Sequence, residues 1–286
     1  MGYTFATVKY LLTHSDFFKN KKVLTLGTLF PYITTKQRHH LACLGFAYSD
    51  ESDFSRQLFI KKLGAKSVSA LDVSDYQGAE VIWNLNTPIL SCNYSTYDAV
   101  IDLGTLEHLS NNSIALTNIF WLLAARGRYY YSCVMNNWVD HGFFQFSPTF
   151  FFDMCRSNRS LNLLEIQVCT TSYYHPICKP NCFPVKLALA SRERSVFTGC
   201  IETLPEKNPI GVNLNFIQSS YEFGAHAVNI SSSRHRSGLL ELLKSLFLLF
   251  YLNSPFTLTL KLKTYSLACI VLGKKNYLDS NYNVLE

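Results

Sequence analysis

Two pairs of adjacent residues are the chain's best equipment for acid–base chemistry, Glu107-His108 and Asp140-His141. Imidazole titrates near neutrality, so a histidine oriented or charged by a neighbouring carboxylate can take a proton from a hydroxyl. A histidine is also an ordinary structural residue, and both readings stand for His108 and His141. A second set comprises Gly27, Asp72, Asn84, Asn86, Asp102 and Gly104. These lie at the ends of short apolar runs: Val23 to Leu26, Ser67 to Leu71, Val81 to Trp83 and Ala99 to Ile101. Glycine in such a place lets backbone approach a ligand closely. An acidic residue ending a second strand can accept hydrogen bonds from both hydroxyls of a ribose. The competing reading of Asp72 is a turn residue, together with Ser74 and Asp75.

The elements that would position these residues follow from periodicity. The four runs read as strands. Phe5, Val8, Leu11 and Leu12 have helical spacing, as do residues 53–63, which Gly64 ends. Asn111 or Asn112 caps a helix carrying Leu116, Ile119, Phe120 and Leu123 on one face; Gly127 is expected to end it. Arg128 to Val134 reads as a fifth strand, Pro148 to Met154 as a helix capped by Ser147 or Thr149, and Leu163 to Cys169 as a further strand. Val185 to Ala190 and Val196 to Ile201 are expected to form a hairpin. Residues 32–52 read as a polar loop, either solvated or covering a ligand. Strands alternating with helices over short connections predict an α/β protein with a mostly parallel sheet. In such sheets ligands bind at the carboxyl ends of the strands, where the polar residues named above fall.

The chain has 286 residues, 48% of them hydrophobic and 14% aromatic, enough to bury a sizeable core and too apolar for disorder. Its net charge of +6 is dispersed. Only Lys19–Lys22 and Arg234–Arg236 are basic groups, and no basic stripe interleaves with aromatics, so nucleic-acid binding is not expected. The nine cysteines show no disulfide spacing and the first residues no signal-peptide pattern, which fits a reducing cytoplasm. Cys178 and Cys182, with His175, have a C-x-x-x-C spacing unlike a zinc knuckle, and no metal site is expected there. Leu239 to Leu252 is strongly apolar but shorter than the roughly 20 residues a spanning helix needs. It is either a packing helix or an interfacial helix giving peripheral membrane contact.

Four motifs recur in an order and spacing that resembles a known family. They are Val23 to Gly27, Ala70-Leu71-Asp72-Val73-Ser74-Asp75-Tyr76, Asn84-Leu85-Asn86, and Asp102-Leu103-Gly104-Thr105-Leu106-Glu107-His108. Together they look like the class I S-adenosyl-L-methionine (SAM)-dependent methyltransferases. The block Asn137 to Pro148 is similar to a bacterial variety associated with sugar and cell-envelope polysaccharide pathways. The likeness covers about residues 1–160.

It implies a Rossmann-like, doubly wound, mostly parallel sheet with helices on both faces over residues 1–203, and a less regular C-terminal extension over 204–286. It also implies SAM as cofactor and a small-molecule or sugar/glycan hydroxyl as acceptor. By the same resemblance Gly27 would lie under the methionine end of SAM, Asp72 would hold the ribose, Asn84 and Asn86 would edge the adenine, and Asp102 and Gly104 would line the methyl-donor pocket. Glu107, His108, Asp140 and His141 would face the acceptor. The family's acidic residue and further glycines are absent from Thr28-Leu29-Phe30-Pro31. Two other readings stand beside this one: a nucleotide-sugar enzyme on a similar sheet, and a non-catalytic binding protein.

Overall fold

A computed structural model of the chain describes residues 2–75, 77–170, 174–177, 194–205 and 214–216. Its elements run β1 (Gly2–Thr4), α1 (Phe5–Thr13), the single turn α2 (Ser15–Phe18), β2 (Lys22–Leu26), β3 (Phe30–Tyr32), α3 (Thr35–Cys43) and α4 (Phe54–Arg56), which continues as a wide helical turn over Gln57–Lys62. Then come β4 (Ser67–Asp72), β5 (Val81–Ile82), β6 (Tyr97–Leu103), α5 (Asn112–Leu122), β7 (Leu123–Asn136), α6 (Pro148–Ser157), β8 (Leu161–Thr170), β9 (Tyr174–Ile177) and β10 (Ser195–Thr203).

Eight strands form the main sheet in the order β5-β4-β2-β6-β7-β10-β8-β9. The first five are mutually parallel; β10 lies antiparallel between β7 and β8, and β9 pairs antiparallel with β8. From β2 the chain steps outward through β4 to β5, then returns to β6 on the other side of β2 and proceeds to β7. The direction of winding therefore reverses between β2 and β6. This is the Rossmann-like, doubly wound fold.

Alternation along the central strands explains why helices cover both faces. Leu24, Leu26 and Val100 point to one side, where Leu116, Ile119 and Phe120 of α5 and Phe151 and Met154 of α6 bury them. Val23, Ala99 and Ile101 point to the other, against Val8 and Leu11 of α1, Leu41 of α3, and Phe54, Leu58 and Phe59. A strand buried on both faces must be apolar at successive positions, which is how Ala99-Val100-Ile101 reads.

Three expectations need correction. Residues 32–52 are not a plain loop. Thr34 accepts the amide of Gln37 while the Gln37 side chain accepts the amide of Thr34, a capping box that starts α3 although only Leu41 of that helix is buried. Gly127 does not end α5. The helix stops at Leu122 and β7 begins at Leu123; within β7 the register with β6 shifts between Leu123 and Arg128, where Arg126 takes φ +59 and Gly127 packs so that a Cβ would stand 2.7 Å from the Ala124 carbonyl oxygen. The segment 196–201, expected in a hairpin, is part of β10, whose two edges are taken by β7 and β8. Residues 185–190, Cys178, Cys182, the apolar segment 239–252 and nearly all of the extension 204–286 lie outside the described residues. Among the described residues no helix is long and apolar enough to cross a membrane.

Candidate functional site

The winding reverses between β2 and β6, the place where ligands bind in sheets of this kind, and a glycine with left-handed backbone follows the carboxyl end of each of these two strands. Gly27, at φ +84, donates its amide to the Leu71 carbonyl at 2.7 Å and so couples the tips of β2 and β4. Gly104, at φ +100, follows β6. Residues with a Cβ rarely take up either conformation. Between them Thr105 donates its hydroxyl to the Leu26 carbonyl at 2.9 Å, tying the loop after β6 to the end of β2.

Asp72 ends β4, half-buried. Its Oδ1 accepts the neighbouring Val73 amide at 2.6 Å, and no described donor reaches its Oδ2. Asn84 and Asn86 follow β5. The exposed Asn84 turns its Oδ1 to the amide of Asn86, and Asn86 Oδ1 accepts from Ser110 and from the Asn111 amide. Asn86 thus joins this loop to the start of α5.

Asp102, expected to line the methyl-donor pocket, turns its side chain into the protein. It is fully buried, and its carboxylate accepts the Thr105 amide at 2.7 Å, the Gly104 amide at 3.2 Å and the Tyr129 hydroxyl at 2.8 Å. Burial raises its pKa against the pull of these donors. Its work is to fix the loop after β6, which carries residues 105–108, by accepting the backbone amides of Gly104 and Thr105.

The second group lies in that loop. A single tight turn, Leu106–His108, holds Glu107 inward, almost wholly buried, and His108 outward. The loop after β7 closes over it. The carbonyl oxygen of Glu107 accepts the amides of Phe143 at 2.7 Å and Phe144 at 3.2 Å, and Gly142, at φ +70, fits there because a Cβ would come within 2.7 Å of that oxygen. His141 is thereby brought to Glu107, with Nε2 at 3.7 Å from Oε1, and edge-on to His108 with ring centroids 5.0 Å apart. Trp138 packs on its other side, its indole N–H bonded to the Ser195 carbonyl and the Arg194 guanidinium 5.1 Å from its ring.

This pairing differs from sequence adjacency. The carboxylate beside His141 is that of Glu107, while Asp140 is exposed at φ +63 in the turn. Burial, and then the charge of Asp102, push the Glu107 carboxyl up to about 8; burial pulls the imidazoles of His108 and His141 below their usual value. All three groups are therefore neutral near pH 7. At 3.7 Å the imidazole and the carboxyl do not share a hydrogen bond.

A separate cleft of about 260 Å³ lies on the α4 side of β4, lined by Thr25, Ser55, Arg56, Ala70, Gly78 and Glu80 among others, and it contains none of the residues foreseen as site residues.

The sequence reading missed Asn118. It is fully buried in α5, accepts the Ile89 amide at 2.9 Å, and donates to the carbonyls of Leu85 at 3.1 Å and Thr87 at 2.8 Å. It latches the loop carrying Asn84 and Asn86. The available signal was one amide side chain on an otherwise apolar helix face. Tyr129, the donor to Asp102, was not foreseen as its partner.

No family model and no curated protein matches this chain. Among solved structures it is similar to the Burkholderia thailandensis 1,6-didemethyltoxoflavin-N1-methyltransferase, at 13% identity over 70% of this chain and 78% of that one, with a TM-score of 0.41. It is also similar to a putative methyltransferase of Haloferax volcanii in complex with the Trm112 activator, at 15% identity over 71% and 90%, TM-score 0.46. A third is a putative S-adenosylmethionine-dependent methyltransferase of Listeria monocytogenes, at 12% identity over 70% and 97%, TM-score 0.40. All three scores lie below 0.5, and the fold stands on its own strand order and register.

Chemically, the two groups divide the labour. The strand tips bring together two buried left-handed glycines, which shape the backbone there, and the half-buried Asp72 carboxylate, suited to a ligand bearing a diol. The Glu107–His108–His141 cluster offers two neutral imidazoles and a protonatable acid, suited to proton transfer or to ligation.

Proposed function

We propose that this protein is a SAM-dependent methyltransferase acting on a hydroxyl oxygen of a small-molecule acceptor. The observation that carries the reading is the gathering of polar strand tips at the winding reversal: left-handed Gly27 and Gly104 after β2 and β6, and half-buried Asp72 on the adjoining tip with an Oδ2 that no described donor reaches. Asp72 would hold the ribose hydroxyls, the backbone at Gly27 and Gly104 the methionine end, and Asn84 the adenine edge.

A nucleotide-sugar or dinucleotide enzyme fits less well, because it needs a phosphate cradle at a helix N-terminus directly after the first strand. Here β2 leads into the short strand β3, and α3 begins only at Thr35.

SAM supplies an electrophilic methyl group. What remains for the chain is to align the acceptor, an effect worth about 7–11 kcal/mol at best, and to remove its proton, worth about 10²–10⁴-fold. His141 and His108 are neutral and so able to accept that proton. The exposed Val139 and Phe143 and the partly exposed Phe144 border His141 in sequence and offer apolar surface to an acceptor. A sugar ring would suit such a face, and the resemblance of residues 137–148 to envelope-polysaccharide methyltransferases supports that choice.

Titration calorimetry of the full chain with S-adenosylhomocysteine tests the cofactor reading. Micromolar binding is expected. Asp72→Ala should weaken it by about 10- to 100-fold, the worth of one or two hydrogen bonds to a charged group, without moving the urea midpoint. Absence of binding, or equal binding by the variant, refutes the assignment.

A further inference from the structure

We propose that Glu107, His108 and His141 form a site for one divalent transition-metal ion of zinc-like preference. Two imidazoles and one carboxylate are the protein ligands of a familiar class of catalytic zinc site, in which the remaining position is left to water or substrate. One donor atom from each of the three residues lies within 4.8 Å of the others, and Glu107 Oε1 and His141 Nε2 are already 3.7 Å apart. Ligands at about 2.0–2.2 Å on a tetrahedral ion stand roughly 3.4 Å from one another. Ring rotations of His108, which is exposed, and of His141 would close the difference.

A second, independent observation points to a ligand here. Glu107 is 1% exposed and its Oε2 has no hydrogen-bond partner. A buried carboxyl oxygen left without a donor costs about 1–3 kcal/mol, more when charged. The fold nevertheless invests in keeping it in place. The loop after β7 is clamped to the Glu107 backbone by two amides, shaped by Gly142 against that same carbonyl, and anchored through the Trp138 indole to β10. These contacts deliver His141 to Glu107 and do nothing for Oε2. A cation would.

The inference deepens the methyl-transfer reading and rests on it for its consequence. An ion at this place would take the acceptor oxygen as a ligand and lower its pKa, doing by coordination what an imidazole base would otherwise do. The acceptor would then be an oxygen nucleophile with a lone pair free to coordinate.

The test uses the full chain stripped with a chelator, in a Cys178→Ser/Cys182→Ser background that removes the other clustered donors of the sequence. ZnCl₂ and CoCl₂ are titrated by calorimetry, and bound metal is counted after desalting. One ion per chain is expected. His108→Ala and His141→Ala should each weaken binding by about tenfold or more, while His39→Ala, an exposed histidine of α3, should leave it unchanged. Glu107→Gln is a third variant; should it fail to fold, the two histidine variants still decide. Failure to retain metal, or equal retention by both histidine variants, overturns the site. S-adenosylhomocysteine titrated into the same samples keeps the two readings apart. Its binding without metal binding removes only the metal site, and metal binding without it removes only the methyl-donor reading.

Discussion

Asn118→Leu is the sharpest perturbation available, because it alters no group that would touch a ligand yet should unlatch a wall of the site. Leucine has the branching and heavy-atom count of asparagine and a larger volume, so no cavity is created. Three hydrogen bonds disappear. Leu85 and Ile89 are 4% and 3% exposed, so the carbonyl of the first and the amide of the second would be left without water. Each such group costs about 1–3 kcal/mol. The Thr87 carbonyl belongs to an exposed residue and regains a water partner. The expected loss is therefore about 2–6 kcal/mol, against a total stability on the order of 5–15 kcal/mol for a domain.

Urea unfolding of parent and variant measures the global part. Amide hydrogen exchange at Ile89 reads the local part, and its protection should fall by about 30-fold or more if 2 kcal/mol or more is lost there. S-adenosylhomocysteine affinity should fall too, since Asn84 and Asn86 ride on the released segment. A variant within about 0.5 kcal/mol of the parent, with Ile89 still protected, would mean that the loop is held by its own turns and that the latch argument is wrong.

Further outcomes follow from the same geometry. Tyr129→Phe removes the hydroxyl donor to buried Asp102 and should cost about 1.5–3 kcal/mol in urea unfolding; if a double-mutant cycle with Asp102→Asn shows no coupling, the pair does not act as described. Gly142→Ala combines a left-handed residue, about 1–2 kcal/mol, with a methyl group pressed on the Glu107 carbonyl oxygen, so exchange of the Phe143 amide should accelerate; unchanged protection there would show that the clamp adapts. Glu165 sits 2.6 Å from the imidazole of His14. Burial raises its pKa, but the hydrogen bond and charge of His14 outweigh this and hold it below the ordinary carboxylate value. A depressed folded-state pKa contributes stability above the unfolded-state value and loses it as pH falls through the folded one. Glu165→Gln should therefore be less stable than the parent above the ordinary carboxylate range, with the gap closing as acid is added; a gap independent of pH would contradict the pairing.

The fold was legible where one physical effect dominated. Strands β2 and β6 are buried on both faces, so their apolar runs are unbroken and end abruptly at Gly27 and Asp102. Asn111 caps α5 and Ser147 caps α6 by side-chain hydrogen bonds that their residue types announce. The structure departs from the expectation where local rules compete. Helix α3 buries only Leu41, so no hydrophobic period reveals it and its capping box alone starts it. At the end of α5, Gly127 was the natural stop signal, but Leu122 and Leu123 are both wholly buried and tertiary packing sets the boundary before the glycine is reached.

The site obeys the same logic at finer scale. Polar residues that follow the tips of parallel strands must gather at one edge of the sheet, so residue type and spacing already bring Glu107, His108 and His141 within reach of one another. Which imidazole meets which carboxyl is a different question, decided by the path of the loop after β7. That path passes through left-handed backbone at Asn137, Asp140 and Gly142, residue types that tolerate it without dictating it. Asp140 is thereby spent on the turn and exposed, and the carboxyl left to face His141 is one 34 residues earlier, Glu107, buried with an oxygen that nothing in the described chain satisfies. Backbone bonds from Phe143 and Phe144 to the Glu107 carbonyl, rather than a short ion pair, are what hold His141 beside that carboxyl, so the proposed ion would find its three donors already gathered.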